Sequence, residues 1–160
     1  MLFFFVLIFA NNMVTHTLNL ESTTLDQDVL CVTTVLPSYL FVFHLNQLLG
    51  LSLVRSKEDL KAENTADRFA VYEYNCEVTQ QSWHLVENQT VSTTTNGQIG
   101  LFKETDRRSL LFADLSQTDF LVCVNGITDN LVKRVQSIRR VMSCSLLPKK
   151  HNKIKEILTF

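Results

Sequence analysis

The stretch Asp119–Pro148, DFLVCVNGITDNLVKRVQSIRRVMSCSLLP, decides the fold. Its first part, DFLVCV, is apolar and rich in β-branched residues, which is typical of a buried strand, and the following Asn-Gly dipeptide ends it. The segment TDN offers N-cap residues to LVKRVQSI, in which Leu131, Val135 and Ile138 recur at helical spacing. VMSCSLLP then alternates apolar residues with serine until Pro148. The sequence therefore predicts strand, helix and strand over this third of the chain.

The first two thirds contain further elements. Residues 29–35 are apolar and β-branched and predict a strand, and YLFVFHLNQLLG predicts a largely buried helix that ends at Gly50. RFAVYEYNCEV and SWHLVEN predict an antiparallel hairpin. TVSTTTNG is interpreted as a loop that closes on the tight-turn dipeptide Asn96-Gly97, IGLFKE as a strand, and TDRRS as a polar break.

The sum of these elements predicts an α+β fold. We expect a single, mostly antiparallel sheet of about five or six strands with two main helices on one face, similar in topology to ferredoxin-like or ACT-like sandwiches. The length of 160 residues suits one domain, which we place at residues 13–160. Such a fold does not specify a function.

The apolar opening, MLFFFVLIFANN, has three interpretations. Ten consecutive apolar residues are too few to cross a bilayer as a helix. A signal peptide or anchor, which would imply export, normally has a basic start, and no lysine or arginine precedes Arg55 here. The alternatives are a native strand or a spurious leader before a true start at Met13. We favour the spurious, dispensable leader for residues 1–12 and a cytoplasmic protein.

Charge is distributed unevenly along the chain. Residues 130–160 carry eight basic residues and one acidic residue, whereas residues 1–129 have a net charge of −8. The candidate contact surface in the basic part comprises Lys133, Arg134, Arg139 and Arg140. These residues could neutralise phosphates, but few aromatic residues lie among them, so nucleic acid is a partner that we do not favour.

Chemical motifs are scarce. The chain has four glycines, which excludes a glycine-rich phosphate loop, and its histidines show no metal-ligand spacing. The four cysteines, Cys31, Cys76, Cys123 and Cys144, lie in apolar or alternating stretches and are interpreted as reduced, buried structural residues. His44 and His84 are also interpreted as structural. We therefore expect no catalytic, cofactor-binding or metal-binding residue, no cofactor and no enzymatic activity.

Three stretches resemble the IPExxxVDY family, small proteins of Bacteroidota: YLFVFHLNQLLGLSLVR (residues 39–55), LFADLSQTDFLVCVNG (residues 111–126) and KKHNKIKEILTF (residues 149–160). The resemblance runs from about Met13 to the last residue, and Asn46, Gly50 and Asp119 are among its specific points. It implies a cytosolic protein of unassigned biochemical role and also favours a start at Met13.

The motif that names the family is altered in this chain. Phe112-Ala113-Asp114 stands where the family has Ile-Pro-Glu, and Thr118-Asp119-Phe120 stands where it has Val-Asp-Tyr. Phe120 lacks the tyrosine hydroxyl, so chemistry that needed this hydroxyl could not occur here. Asp114 and Asp119 could form a carboxylate pair, but we expect Asp114 in a short turn and Asp119 bonded to backbone amides at the start of a strand.

Three functions follow as hypotheses. The first is a small non-enzymatic cytosolic protein that acts through protein–protein contact or self-association, including a homodimer, with no membrane contact. The second is an RNA-associated accessory protein that uses the basic C-terminal face. The third is an ACT-like domain that senses a small ligand.

Overall fold

The computed structural model describes residues 27–62, 66–95 and 104–158. The strands are β1 (Asp28–Thr34), β2 (Val54–Arg55), β3 (Leu60–Lys61), β4 (Arg68–Phe69), β5 (Val71–Cys76), β6 (Gln81–Glu87), β7 (Gln89–Thr95), β8 (Glu104–Leu110), β9 (Phe120–Val124) and β10 (Val141–Leu146). The helices are α1 (Ser38–Leu49), α2 (Asp129–Gln136) and α3 (Asn152–Ile157), with 3-10 turns at Ala113–Leu115 and Lys149–His151.

The main sheet has six strands in the order β10-β1-β9-β6-β5-β2, and each neighbouring pair is antiparallel. Its first four strands, with α1 following β1 and α2 following β9, have the ferredoxin-like arrangement of two split βαβ units. The predicted α+β class, the six-stranded sheet and the strand–helix–strand order of the last third are confirmed. Strands β3 and β4 form a separate small pair.

One face of the sheet is covered by α1 and α2. Phe41 and Leu45 of α1 are fully buried, and Val135 of α2 joins the same apolar cluster. The helix α1 ends where predicted, because Gly50 adopts φ +69°, the left-handed conformation that costs glycine little. Phe41 stacks on Phe120 of β9 with ring centroids 5.0 Å apart, which fixes α1 over the centre of the sheet.

The opposite face carries a second apolar cluster. Ile154 of α3 and Leu158 pack there with Leu115 and with Leu121 of β9. The C-terminal helix α3 was not predicted from its sequence, KKHNKIKEILTF. A six-residue helix leaves too short a pattern for helical periodicity to be recognised, and tertiary contacts stabilise it instead.

The Thr-rich segment and the polar break were both predicted wrongly. TVSTTT lies in β7 and TDRRS lies in β8. The two strands pair along seven residues as a separate ribbon. Threonine is β-branched and suits extended backbone, and a polar strand does not show the apolar alternation from which the other strands were predicted. The expected turn at Asn96-Gly97 and most of the expected strand IGLFKE lie outside the described residues.

His84 makes the stability of this fold depend on pH. Its side chain is buried in β6, opposite Glu73 of β5. Burial lowers the pKa of His84 below its ordinary 6.5, and the nearby Glu73 carboxylate opposes this only in part. The unfolded chain therefore binds a proton more readily than the folded chain once the pH falls to about 6.5.

We expect the free energy of unfolding to decrease as the pH falls from 6.5 towards the lower folded pKa of His84, with no contribution from this residue above that range. Urea unfolding of the wild-type chain and of His84→Gln at several pH values between 5 and 8 measures the effect. The variant should lose part of the acid-side decrease. Parallel pH profiles for the two proteins would contradict the assignment to His84.

Candidate functional site

A groove of about 800 Å³ opens where the end of β1 and the start of α1 meet the β7–β8 ribbon. Both apolar and polar residues line it. Its lining includes Val35, Ser38, Arg108, Asp119, Phe120 and Met142. The groove therefore contains two of the positions singled out from the altered family motif.

Asp119 is bonded to backbone, as predicted. Its carboxylate Oδ2 accepts a hydrogen bond of 2.7 Å from the backbone N–H of Thr34, and its own N–H donates to the carbonyl of Val32 at 2.9 Å. The Thr34 hydroxyl in turn donates to the carbonyl of Arg140. Asp119 thus connects the start of β9 with the end of β1, and Thr34 extends this hydrogen-bond network to the turn before β10. The carboxylate therefore has a structural role.

Asn88, at the end of β6, holds the loop that carries Asp119. Its side chain is fully buried; Nδ2 donates to the carbonyls of Leu115 and Thr118, and Oδ1 accepts from the N–H of Phe112, all at 2.9 Å. Sequence reasoning missed this residue, because its three partners lie 24 to 30 residues away. An asparagine directly after a buried apolar strand was the one signal available.

The other positions of the motif have separate surroundings. Asp114 lies in the 3-10 turn with an exposed side chain, and its Oδ2 is 3.9 Å from Nδ1 of His151. Phe120 is buried against Phe41 and is also one of the residues that line the groove. Asp114 and Asp119 therefore bond to different partners and do not act as one acid–base pair.

Asn46 and Gly50 organise the end of α1. The Asn46 side chain donates to the carbonyl of Leu53 at 3.1 Å and accepts from the Leu53 N–H at 2.9 Å. The backbone N–H of Gly50 donates to the carbonyl of Asn46 at 2.8 Å. Both residues set the return of the chain from α1 towards β2 and contribute no reactive group.

The basic residues of the C-terminal third are divided between the two faces of the sheet. Arg134 of α2 donates to the carbonyl of Leu48 and so binds the C-terminal end of α1, where a cation is favourable. Arg139 lines a smaller depression of about 380 Å³ beside His44. Arg140 occupies the turn before β10 at φ +76°.

The later lysines lie near α3 on the opposite face of the sheet, where Nζ of Lys155 is 3.6 Å from Oδ1 of Asp28.

Three of the four cysteines are buried, as predicted, and one is not. Burial raises the pKa values of the Cys31, Cys123 and Cys144 thiols to about 11, 12 and 11. Cys76, at the end of β5, is only half-buried, and hydrogen bonds from Thr79 lower its pKa to about 7. All four thiols are free, and Cys76 is the one with thiolate character near neutral pH.

The outer edge of β10, which we name the open edge (Val141–Leu146), adjoins the groove. β10 ends the sheet and pairs with β1 on one side, and nothing among residues 27–62, 66–95 and 104–158 pairs with its other side. Its sequence, VMSCSL, contains neither charge nor proline, and Met142 and Leu146 are 61% and 47% exposed. Edge strands are commonly protected by charge, proline or brevity, so this edge is suited to pairing.

The opposite edge of the sheet differs. β2 is two residues long, and its Arg55 bonds to Asp59 and lies over the ring of Tyr72 at 5.5 Å. A strand this short offers few backbone N–H and C=O groups with which another strand could pair, and its charged residue disfavours such pairing further. The two edges of the sheet therefore differ in their capacity to recruit a partner.

The described residues contain neither a metal-binding cluster nor a helix that could span a membrane. No group of three or more His, Cys, Asp or Glu residues there could hold a metal ion. None of the helices seen in these ranges is long and apolar enough to cross a membrane. Comparison of the chain with protein-family models, with curated proteins and with solved structures found no match.

Proposed function

We propose that this protein is a non-enzymatic, cytosolic protein that acts through contact with another protein chain, including a copy of itself. The observation that supports this most is the open edge of β10, which combines six uncharged residues with the exposed apolar side chains of Met142 and Leu146. Backbone hydrogen bonds supply affinity when a strand adds to such an edge, and side chains on the two faces supply selectivity.

The polar groups beside the open edge support the same proposal. The Asp119 carboxylate accepts a backbone hydrogen bond, and Asn88 uses its side-chain amide to hold the adjoining loop. Side chains that are already hydrogen-bonded to the backbone in this way stabilise the surface, and they are poorly available to act as a general base or nucleophile. The groove is accordingly better suited to receive part of a partner than to transform a substrate.

The RNA-associated alternative gains no support from the position of the basic residues. Arg134 is bonded to α1, and the lysines of the C-terminal segment accompany α3 on the other face of the sheet. A stripe of phosphates needs cations on one surface. The ACT-like alternative has fold similarity alone in its favour, and one fold supports many functions.

Capture from native cells tests the proposal. Tagged full-length chain should retain a stoichiometric protein, which is either an untagged copy or another chain, and the double variant Met142→Lys/Leu146→Lys should lose it. Val78→Lys is the matched control, because Val78 is 93% exposed in the turn after β5, away from the open edge. A wild-type chain that elutes alone as a monomer would refute the proposal.

A further inference from the structure

We propose that a depression between α1 and the end of α2 binds an acidic, apolar segment of a partner protein, with a carboxylate of that segment on Arg139. This cationic depression is lined by His44, Gln47, Leu48, Ser137, Ile138 and Arg139. The inference rests on the proposed function and gives the chemistry of the partner, but it uses a surface other than the open edge. It is carried by an unpaired cation, by the lining around that cation and by exposed aromatic side chains next to it.

Arg139 is a cation without a partner. It is exposed in the turn between α2 and β10. Its guanidinium takes part in no hydrogen bond or ion pair within the part of the chain that the structure describes. Arg134, by contrast, is bonded to the carbonyl of Leu48. A free guanidinium presents a planar fork of donors that matches the two oxygens of a carboxylate.

The turn that carries Arg139 is held on both sides of this residue. The N–H of Val141 donates to the carbonyl of Ile138 at 3.0 Å, and the Thr34 hydroxyl donates to the carbonyl of Arg140 at 2.8 Å. Arg140 has φ +76°, a left-handed conformation that glycine adopts at lower cost. Strained backbone of this kind persists where surrounding contacts hold it, and it is concentrated at binding sites. Arg139 therefore projects from a fixed position beside the depression.

The surroundings of Arg139 favour an anion. No aspartate or glutamate is among the described residues that line the depression. Helix C-termini, two of which meet here, would otherwise repel an anion through their carbonyl groups. Arg134 binds the Leu48 carbonyl, and the N–H of Ser137 donates to the carbonyls of Lys133 and Arg134 at 3.0 and 3.1 Å. These carbonyls are already hydrogen-bonded, so the positive charge of Arg139 is not offset by them.

Exposed aromatic side chains lead into the depression. Tyr39 and Phe43, which we name the aromatic strip, are 66% and 57% exposed. Helical spacing places Gln47, which lines the depression, next in the same row on α1. The Phe43 ring meets the His44 ring edge-on, with 5.6 Å between centroids. Apolar side chains of a partner can therefore pack on the strip while a neighbouring carboxylate reaches Arg139.

The whole of α1 fits an apolar contact rather than a free surface. Its sequence, SYLFVFHLNQLL, contains no aspartate, glutamate, lysine or arginine. Nucleic acid matches this surface less well, because phosphate chains bind through several cations spread along one surface. A protein segment with one carboxylate a few residues from its apolar side chains matches a single unpaired guanidinium beside two exposed rings.

Site-specific photo-cross-linking in native cells identifies the occupant. The full-length chain with p-benzoylphenylalanine in place of Phe43 should be linked by light to a peptide that carries net negative charge and apolar residues, as identified by mass spectrometry. The same photoreactive residue in place of Val78 is the control. Val78 is 93% exposed in the turn after β5, outside the cationic depression and the aromatic strip, and should not link that peptide.

A synthetic peptide of the linked segment measures the charge contact. Arg139→Glu should raise its dissociation constant about tenfold or more, because repulsion replaces a charge-assisted pair, and Arg139→Lys should raise it less. Lys153→Glu makes the same change of charge at α3, on the other face of the sheet, and should leave the constant within about twofold. Both residues are exposed, so circular dichroism should show an intact fold for every variant.

The outcomes separate this inference from the proposed function. A linked peptide that is basic or uncharged, a linked nucleic acid, or a dissociation constant that Arg139→Glu leaves unchanged overturns the acidic partner. Linkage of Phe43 to residues 1–26 of the chain itself also overturns it. If a protein is captured and lost in Met142→Lys/Leu146→Lys but is never linked at Phe43, the proposed function stands without this inference. A wild-type chain that elutes alone and links to nothing refutes both.

Discussion

Phe41→Ala is expected to lower the free energy of unfolding by about 3–5 kcal/mol, which is the usual cost of removing a buried aromatic ring. Phe41 has no exposed surface, and its ring stacks on Phe120 at 5.0 Å between the centroids. The cavity would open between α1 and the centre of the sheet. Such a loss is a large share of the stability of a domain of this size.

Phe43→Ala on the same helix is the matched control. Phe43 is 57% exposed, so the same truncation removes little buried area and should change the free energy of unfolding by less than about 1 kcal/mol. Urea unfolding followed by circular dichroism and by Trp83 fluorescence measures both variants. Equal losses for the two variants would show that α1 is not packed as described.

Asn88→Ala is expected to cost about 3 kcal/mol or more. The substitution leaves the carbonyls of Leu115 and Thr118 and the N–H of Phe112 without the side chain to which they are bonded, and each buried polar group left unpaired costs about 1–3 kcal/mol. Asn88→Asp should also be destabilising, because a carboxylate accepts hydrogen bonds but cannot donate to the two carbonyls. Hydrogen exchange should accelerate first at the Phe112 amide.

Gln89→Ala tests whether the effect belongs to the buried amide. Gln89 is the next residue, and its Nε2 donates to the carbonyl of Ser116 at 3.2 Å and, at the longer distance of 3.5 Å, to the carbonyl of Thr118. We expect a change below about 1 kcal/mol, because water can replace the exposed bond to Ser116 and the Thr118 carbonyl keeps its shorter bond to Asn88. If Asn88→Ala unfolds at the same urea concentration as the wild-type chain, the hydrogen-bond network around Asn88 does not stabilise the loop.

The fold was predictable wherever a segment carries its own periodicity. The continuous apolar run of β9, the helical spacing of Leu131, Val135 and Ile138, and the glycine after α1 are local signals, and the structure confirms the element that each one indicates. They are reliable because a strand or helix that covers a core must place apolar residues at the period of its backbone. The α+β class and the split βαβ order follow from them.

The candidate site was predictable only in part. Asp119 was identified, and its backbone bonding was foreseen, whereas Asn88 and the β7–β8 ribbon were missed. Asn88 looks like an ordinary loop residue, since its three partners come from a distant loop. The residues of the ribbon are mostly polar and produce no apolar pattern. Long-range hydrogen bonds and polar strand pairing leave little trace in a local stretch of sequence.

The sequence by itself determined which segments form the core and that the last third is strand, helix and strand, because burial imposes periodicity on neighbouring residues. Only the tertiary structure decided that the cations of the C-terminal third lie on two faces and that VMSCSL ends the sheet. Strand order depends on contacts between residues far apart in the chain. A strand with the same residues at the centre of the sheet would have no free backbone groups to offer a partner.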